Sequence, residues 1–244
     1  MTAPAPSYRL EVAVDPAQLA SRAAERIATA IDLALDERDR AQIALAGGTT
    51  PALAYERLGQ EHLPWERVDV LLGDERWVPA SDPASNARML ATSLLAQEPA
   101  RHACFHPVPT QLASPEASAT AFAALLRQLC PGDPPVLDLV LLGLGDDGHT
   151  ASLFPGTPAA HEHQQLVTVG AGKGLERITL TAPVLSAARQ VVFLVSGEAK
   201  RQALSRLLDP DESAERTPAK LVRPRSPILV LADVAAAQGL AAAG

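Results

Sequence analysis

Apolar residues recur along this chain in two rhythms, and their alternation predicts the architecture. Residues 136–142, Val-Leu-Asp-Leu-Val-Leu-Leu, are almost unbroken in their apolar character, the pattern of a strand covered on both faces in a parallel sheet. Residues 42–46, 68–72, 190–195 and 227–233 repeat that pattern in short runs that end on glycine, serine or acid. Residues 8–14 instead alternate polar with apolar and suit a strand near the sheet edge. Shorter extended pieces are expected at residues 101–109, 166–169 and 177–180, the last two on either side of the loop Gly170-Ala-Gly-Lys-Gly174.

Between these runs the period becomes helical. Leu19, Ala23, Ile27, Ala30 and Ile31 share one face of a helix that opens on Asp15-Pro16, a cap followed by a first-turn proline, and runs to about Leu35. Further helices are expected at residues 51–58, 87–96, 114–129 and from Lys200 to Leu208. Residues 36–40 read as a charged connector, residues 131–135 as a helix stop, and residues 209–226 as a loop or short helix before the last strand and an alanine-rich tail. Strands alternating with helices, with no internal repeat or long linker, predict a single domain over residues 1–244. Its class is α/β: a doubly wound, mostly parallel sheet flanked by helices, with right-handed crossovers.

At 244 residues the chain can bury a sizeable core, and with only 3% aromatics alanine, leucine and valine must build it. A net charge of −7 without any basic block argues against a nucleic-acid partner. Cys104 and Cys130 lack metal-type spacing and fit a reducing compartment. Residues 1–7 have neither the basic start nor the apolar stretch of a secretory signal, and no apolar run approaches the roughly 18 residues of a spanning helix. The expectation is a cytoplasmic protein with no membrane partner.

Candidate chemistry sits in four polar clusters, each just past an expected strand. Gly47-Gly48-Thr49-Thr50 precedes a helix and reads as a phosphate cradle of free N–H groups and hydroxyls, though it lacks the Gly-Lys-Ser/Thr of a Walker A loop. Gly73-Asp74-Glu75-Arg76 follows the third strand. Gly143-Leu-Gly145-Asp146-Asp147-Gly148-His149 places a carboxylate where it can orient an imidazole able to take a proton near neutral pH. Ser196-Gly-Glu-Ala-Lys200 follows another buried strand. In a parallel sheet all strand C-termini share one edge, so the clusters can meet in one crevice. A cradle, the cations Arg76, Arg177 and Lys200, and an Asp147–His149 pair suit acid–base chemistry on a phosphorylated small molecule. His161 and His163 lack a third ligand and read as surface histidines, so neither a metal nor any other cofactor is expected.

Ala46-Gly-Gly-Thr-Thr-Pro51, Gly73-Asp-Glu-Arg-Trp-Val-Pro79, Ser85-Asn86, Gly143-Leu-Gly-Asp-Asp-Gly-His-Thr-Ala-Ser-Leu-Phe-Pro155, Arg177-Ile-Thr-Leu-Thr181 and Gly197-Glu-Ala-Lys200 resemble, in order and spacing, the motif series of the 6-phosphogluconolactonases. The resemblance runs from about Leu10 to Asp233. It implies hydrolysis of 6-phospho-D-glucono-1,5-lactone to 6-phosphogluconate in the oxidative pentose phosphate pathway. It also implies the Rossmann-like fold shared with glucosamine-6-phosphate deaminase and ribose-5-phosphate isomerase. On that reading His149 is the base and Asp147 fixes its tautomer. The 6-phosphate rests on Gly47, Gly48, Thr49 and Thr50 with Lys200 and Arg177 as counter-charges, and Asp74, Asn86 and Gly148 complete the substrate contacts. Arg76 has two readings, a substrate contact or an arginine held as structure by Asp74 and Glu75. The oxyanion donor stays open between Arg76 and the amides of residues 143–148. Lys173 stays outside this site, and Asp146 reads as a loop residue. The expected partner is the phosphorylated lactone alone, bound by a monomer or weak homo-oligomer.

Two alternatives stand beside it. Deaminases follow Asp-Gly-His with Ile-Ala-Phe-Asn-Glu-Pro, whereas here Thr150, Ala151, Ser152, Leu153, Phe154 and Pro155 stand there, so Phe154 replaces a proton-handling Glu. A non-catalytic sugar-phosphate sensor would need a DNA-binding segment, which this acidic chain does not offer.

Overall fold

The computed structural model describes residues 6–240; most of the stretch tested for a secretory signal and the end of the alanine-rich tail lie outside the described residues. The chain lays down β1 (Tyr8–Ala13), α1 (Pro16–Glu37), β2 (Ala41–Leu45), α2 (Thr49–Leu58), β3 (Val68–Leu72) and β4 (Asp74–Arg76). It continues through α3 (Asn86–Thr92), β5 (Cys104–Phe105), α4 (Pro115–Leu129) and β6 (Leu139–Gly143). Then follow β7 (Val167–Gly172), β8 (Leu175–Leu180), α5 (Ala182–Ala187), β9 (Gln190–Val195), α6 (Arg201–Leu208), β10 (Ile228–Asp233) and α7 (Val234–Ala237).

Seven strands pair in parallel in the order β1-β10-β9-β6-β2-β3-β5. Strand side chains point alternately to opposite faces, and each face has its own core. Ile43, Leu45, Val70, Leu72, Leu139 and Leu141 pack with the apolar face of α1. Ala44, Leu71, Val140, Leu142 and Phe193 pack with Phe122 and Leu126 of α4. Both faces being covered is why these strands carry no polar alternation in the sequence. β1 takes the edge, as its alternating pattern predicts. α1 starts as expected, with Asp15 accepting the Gln18 N–H at 2.7 Å and Pro16 in the first turn. No helix among the described residues is long and apolar enough to cross a membrane.

The topology places the crevice. From β2 the chain winds outward to β3 and β5; it returns to β6 on the other side of β2 and winds the opposite way to β9 and β10. The loops after β2 and β6 therefore diverge from neighbouring strands, which opens a cleft at the sheet's C-terminal edge.

Several local expectations are corrected. Residues 74–76, read as a strand-end loop, form β4, which pairs antiparallel with β8 and sets Arg76 opposite Arg177. Residues 170–174, read as a loop, carry β7 through Gly172 to a tight turn at Lys173-Gly174 and back into β8. Together β4, β8 and β7 make a second, antiparallel sheet over the crevice. Val167, Ile178 and Leu180 of this sheet pack into the core beside α4, while its polar and glycine positions, Asp74, Arg76, Arg177, Gly170 and Gly172, carry no apolar signal. Finally, α5 had no counterpart in the apolar pattern; α3 stops at Thr92, four residues early, and of residues 101–109 only β5 is extended as a strand.

Candidate active site

Gly48 opens the phosphate cradle at φ 118°, a left-handed value that glycine adopts without penalty, directly ahead of α2. The first N–H groups of that helix have no partner within it and face the crevice with its positive dipole end. Gly47 has a different reason to be glycine: a Cβ there would fall 1.9 Å from Asn86 Oδ1.

Asn86 is pinned from three directions. Its N–H donates to Glu75 Oε1 at 2.7 Å, its Nδ2 donates to the Asp74 carbonyl at 2.8 Å, and its Oδ1 accepts from Arg76 Nη1 at 2.6 Å. Arg76 Nη1 also donates to the Ala84 carbonyl at 2.6 Å. Arg76 is thus held in place, but by Asn86 and the Ala84 carbonyl rather than by the carboxylates of Asp74 and Glu75, and it also lines the crevice. Glu75, 1% exposed, turns instead to the start of α3, where it accepts from the N–H groups of Arg76, Asn86 and Ala87 and from Ser85 Oγ. Burial pushes its carboxyl above the usual range against the pull of those three amides. Asp74 is buried too. Its Oδ2 accepts from Ser152 Oγ at 2.5 Å and lies 3.6 Å from Arg177 Nη1. Burial lowers the Arg177 guanidinium, opposed chiefly by Asp74.

The loop after β6 is wound on its own backbone. The Gly145 N–H donates to the His149 carbonyl at 2.8 Å, and the Gly148 N–H donates to the Gly145 carbonyl at 3.0 Å. That winding brings His149 Nδ1 to 2.5 Å from Asp147 Oδ1, which also accepts the His149 N–H at 3.0 Å. A carboxylate only accepts, so the ring proton resides on Nδ1 and Nε2 carries the lone pair. Burial pushes the His149 imidazole below its ordinary value; the Asp147 hydrogen bond and charge oppose it, and Lys173 adds to it. For Asp147, burial works against ionisation, and the His149 N–H and ring outweigh it and hold the carboxyl low.

One cavity of about 350 Å³ touches Gly47, Gly48, Thr49 and Thr50, the cations Arg76, Arg177 and Lys200, and His149, with Asp74 and Asn86 in its wall. That size suits a sugar phosphate. A wider cleft of about 630 Å³ between residues 198–205 and 238–240 includes neither an imidazole nor the glycine cradle in its lining. Of the site residues expected from sequence, two lie off the lining. Asp147 stands behind the imidazole it orients. Gly148 has φ 92°, faces Thr217 and accepts the Ala219 N–H on its carbonyl at 3.0 Å, which gives it a structural reason to be glycine.

Lys173, left outside the site by sequence, lines the cavity from the β7–β8 turn, with Nζ 3.5 Å from the exposed Asp146. Its signal was only a lysine among three glycines. His161 and His163 are exposed, and no group of three metal-ligating side chains occurs among the described residues.

Known proteins resemble this chain along nearly its whole length. A family model described as glucosamine-6-phosphate isomerases/6-phosphogluconolactonase matches residues 14–231. A 6-phosphogluconolactonase of Synechocystis is 41% identical over 235 residues, which span 95% of this chain and 98% of that protein. The crystal structure of a 6-phosphogluconolactonase from Shewanella baltica superposes with a TM-score of 0.85 at 29% identity, covering 93% of this chain and 98% of that one. The 6-phosphogluconolactonase structure from Trypanosoma brucei gives the same TM-score at 30% identity over 97% and 100% of the two chains.

Proposed function

The chain belongs to the glucosamine-6-phosphate isomerase/6-phosphogluconolactonase family, and from that premise we propose that it hydrolyses 6-phospho-D-glucono-1,5-lactone to 6-phosphogluconate, within the oxidative pentose phosphate pathway. The observation that carries this reading is the single cavity shared by the anion cradle at Gly47–Thr50 and an imidazole whose outer nitrogen is free.

The lactone is an activated ester, so its hydrolysis needs a placed water, a base and a counter-charge. His149 Nε2 takes a proton as water oxygen bonds to C1. Asp147 holds the Nδ1–H and stabilises the imidazolium, a service worth about 10²–10⁴ in rate for a well-placed base. The tetrahedral intermediate then breaks its bond from C1 to the ring oxygen, which receives the proton back from the imidazolium. We assign the negative oxygen on C1 to Arg76, which lines the cavity, through the guanidinium N–H groups it does not spend on Ala84 and Asn86; the amides of Gly145 and Gly148 are spent inside the loop, and a donor of this type is worth on the order of 10²–10³. The 6-phosphate rests on the α2 N-terminus, the Thr49 and Thr50 hydroxyls and Lys200. Arg177, shared with Asp74, adds positive potential from the wall. Two free cysteines are consistent with a reducing, cytoplasmic setting.

The decisive experiment is acid release from freshly prepared phosphogluconolactone. Release well above the spontaneous rate is expected. Tight binding without release would replace the enzyme with a sensor, and amine release from glucosamine 6-phosphate would replace it with a deaminase.

Lys200→Ala should raise KM for the phosphorylated lactone by about ten- to a hundredfold with kcat nearly kept, since a charge-assisted hydrogen bond to phosphate contributes about 1.5–3 kcal/mol. An unchanged KM in steady-state kinetics would remove Lys200 from the phosphate site. The pH profile follows from the shift at His149. A base works when neutral, so kcat/KM stays level above the imidazole pKa and falls as pH drops through it. Burial lowers that pKa, which puts the acid limb below the ordinary imidazole value of about 6.5. A limb well above that value, measured by acid release across pH, would contradict the assignment.

A further inference from the structure

Phe154 is buried, 6% exposed, yet it belongs to neither of the two apolar cores. Its neighbours are polar. The ring centroid lies 4.2 Å from that of the His149 imidazole with the planes 32° apart, and the Arg177 guanidinium carbon lies 5.3 Å from the same centroid. The facing strand has been cleared to admit it. A Cβ on Gly172 would come within 2.3 Å of the Phe154 ring, and one on Gly170 within 2.8 Å of the Ser152 carbonyl. Residues 170 and 172 are two apart on β7 and so lie on one side of it. The two glycines therefore make a single recess, shaped to the segment from Ser152 to Phe154.

This arrangement supplies what Asp147 cannot. One hydrogen bond at Nδ1 sets the tautomer but leaves the imidazole free to pivot about that contact. A flat face at stacking distance removes the pivot. We propose that Phe154 is a positioning residue for the hydrolysis: its ring fixes the plane of the His149 imidazole and hence the direction in which Nε2 meets the attacking water. The proposal rests on the reading of His149 as the base. The same ring keeps water off the imidazole, which is part of the burial that lowers its pKa. The charged groups around it come from its own loop, from β4 and from the β7–β8 hairpin: Asp147 on the loop and Asp74 on β4 favour the imidazolium, Lys173 at the hairpin turn opposes it, and Arg177 on β8 shares the Phe154 ring.

The test compares Phe154→Leu, which keeps apolar volume without a planar face, with Phe154→Tyr, which keeps the face. Each is read by lactonase kcat, KM and pH dependence, and by NMR titration of the His149 imidazole, assigned by its loss in His149→Gln. Phe154→Leu should lose about ten- to a hundredfold in kcat with KM unchanged. Its acid limb and its imidazole titration should both move up in pH, and Phe154→Tyr should restore all three. A folded Phe154→Leu enzyme with wild-type kcat and an unmoved titration overturns the proposal, as does a Tyr variant no better than Leu. If Phe154→Leu does not fold, Phe154→Met takes its place with the same expectations. Absence of lactone turnover in the wild type would instead count against the assigned reaction; the titration comparison would still decide whether the ring governs the imidazole.

Discussion

His149→Ala is expected to lower kcat for phosphogluconolactone by about 10²–10⁴, with KM changed little. The imidazole contributes a lone pair to the cavity and no counter-charge to the phosphate, so its removal takes away the proton acceptor and leaves the cradle and Lys200 in place. The fold should survive the change. The Asp147 side chain is 40% exposed, so the orphaned carboxylate stays hydrated and costs little; a melting curve verifies this. Residual turnover should persist from Arg76 and from substrate positioning, because groups that act as a unit are not additive when removed singly. A folded His149→Ala variant with near wild-type acid release would take the base away from His149 and would leave the role of Asp147 without a purpose.

Gly145→Ala is expected to cost kcat about a hundredfold or more through one methyl group. A Cβ at this position would lie 2.0 Å from His149 Nδ1 and 2.6 Å from Asp147 Oδ1. Both distances are well inside van der Waals contact, and the atoms met are the two that form the Asp147–His149 hydrogen bond. The pair must separate, or the imidazole must leave its stack on Phe154. Gly145 does not sit in the left-handed region, where alanine would strain the backbone, so the damage is local to the site. Thermal stability should therefore fall far less than turnover. Acid-release kinetics set beside a melting curve give the comparison, and a Gly145→Ala enzyme with full kcat would show that the Asp147–His149 contact is not needed.

The lactonase reading leaned on features that local chemistry writes into sequence. A twin glycine before two threonines and a helix start offers unpaired N–H groups to an anion, and its placement beside the other strand-end clusters gave that signal its weight. Asp147 and His149, with a glycine between them, could find each other without help from the rest of the chain. Residues whose partners lie far away in sequence were less legible. Glu75 looked like a partner for the adjacent Arg76, but its amide donors at Asn86 and Ala87 come from a helix eleven and twelve residues further on. Lys173 reaches the cavity only because β7 and β8 fold as a hairpin over it. Phe154 read as a lost carboxylate, and its stacking on His149 appears only once Gly170 and Gly172 of β7 clear a recess for it.

By itself, then, the chain's apolar period determined a sheet buried on two faces, and its glycine-rich strand ends determined where reactive groups would emerge. Those are consequences of backbone geometry acting over a few residues. Tertiary structure alone decided which emerging groups share a cavity, because the switch in winding direction between β2 and β6 sets their loops apart. It also decided which polar side chains spend their hydrogen bonds on one another, as Glu75 does, and which, as with Nε2 of His149, are left with an orbital for substrate. A buried donor or acceptor takes the nearest partner that folding offers, and that partner is chosen by the packing of distant segments.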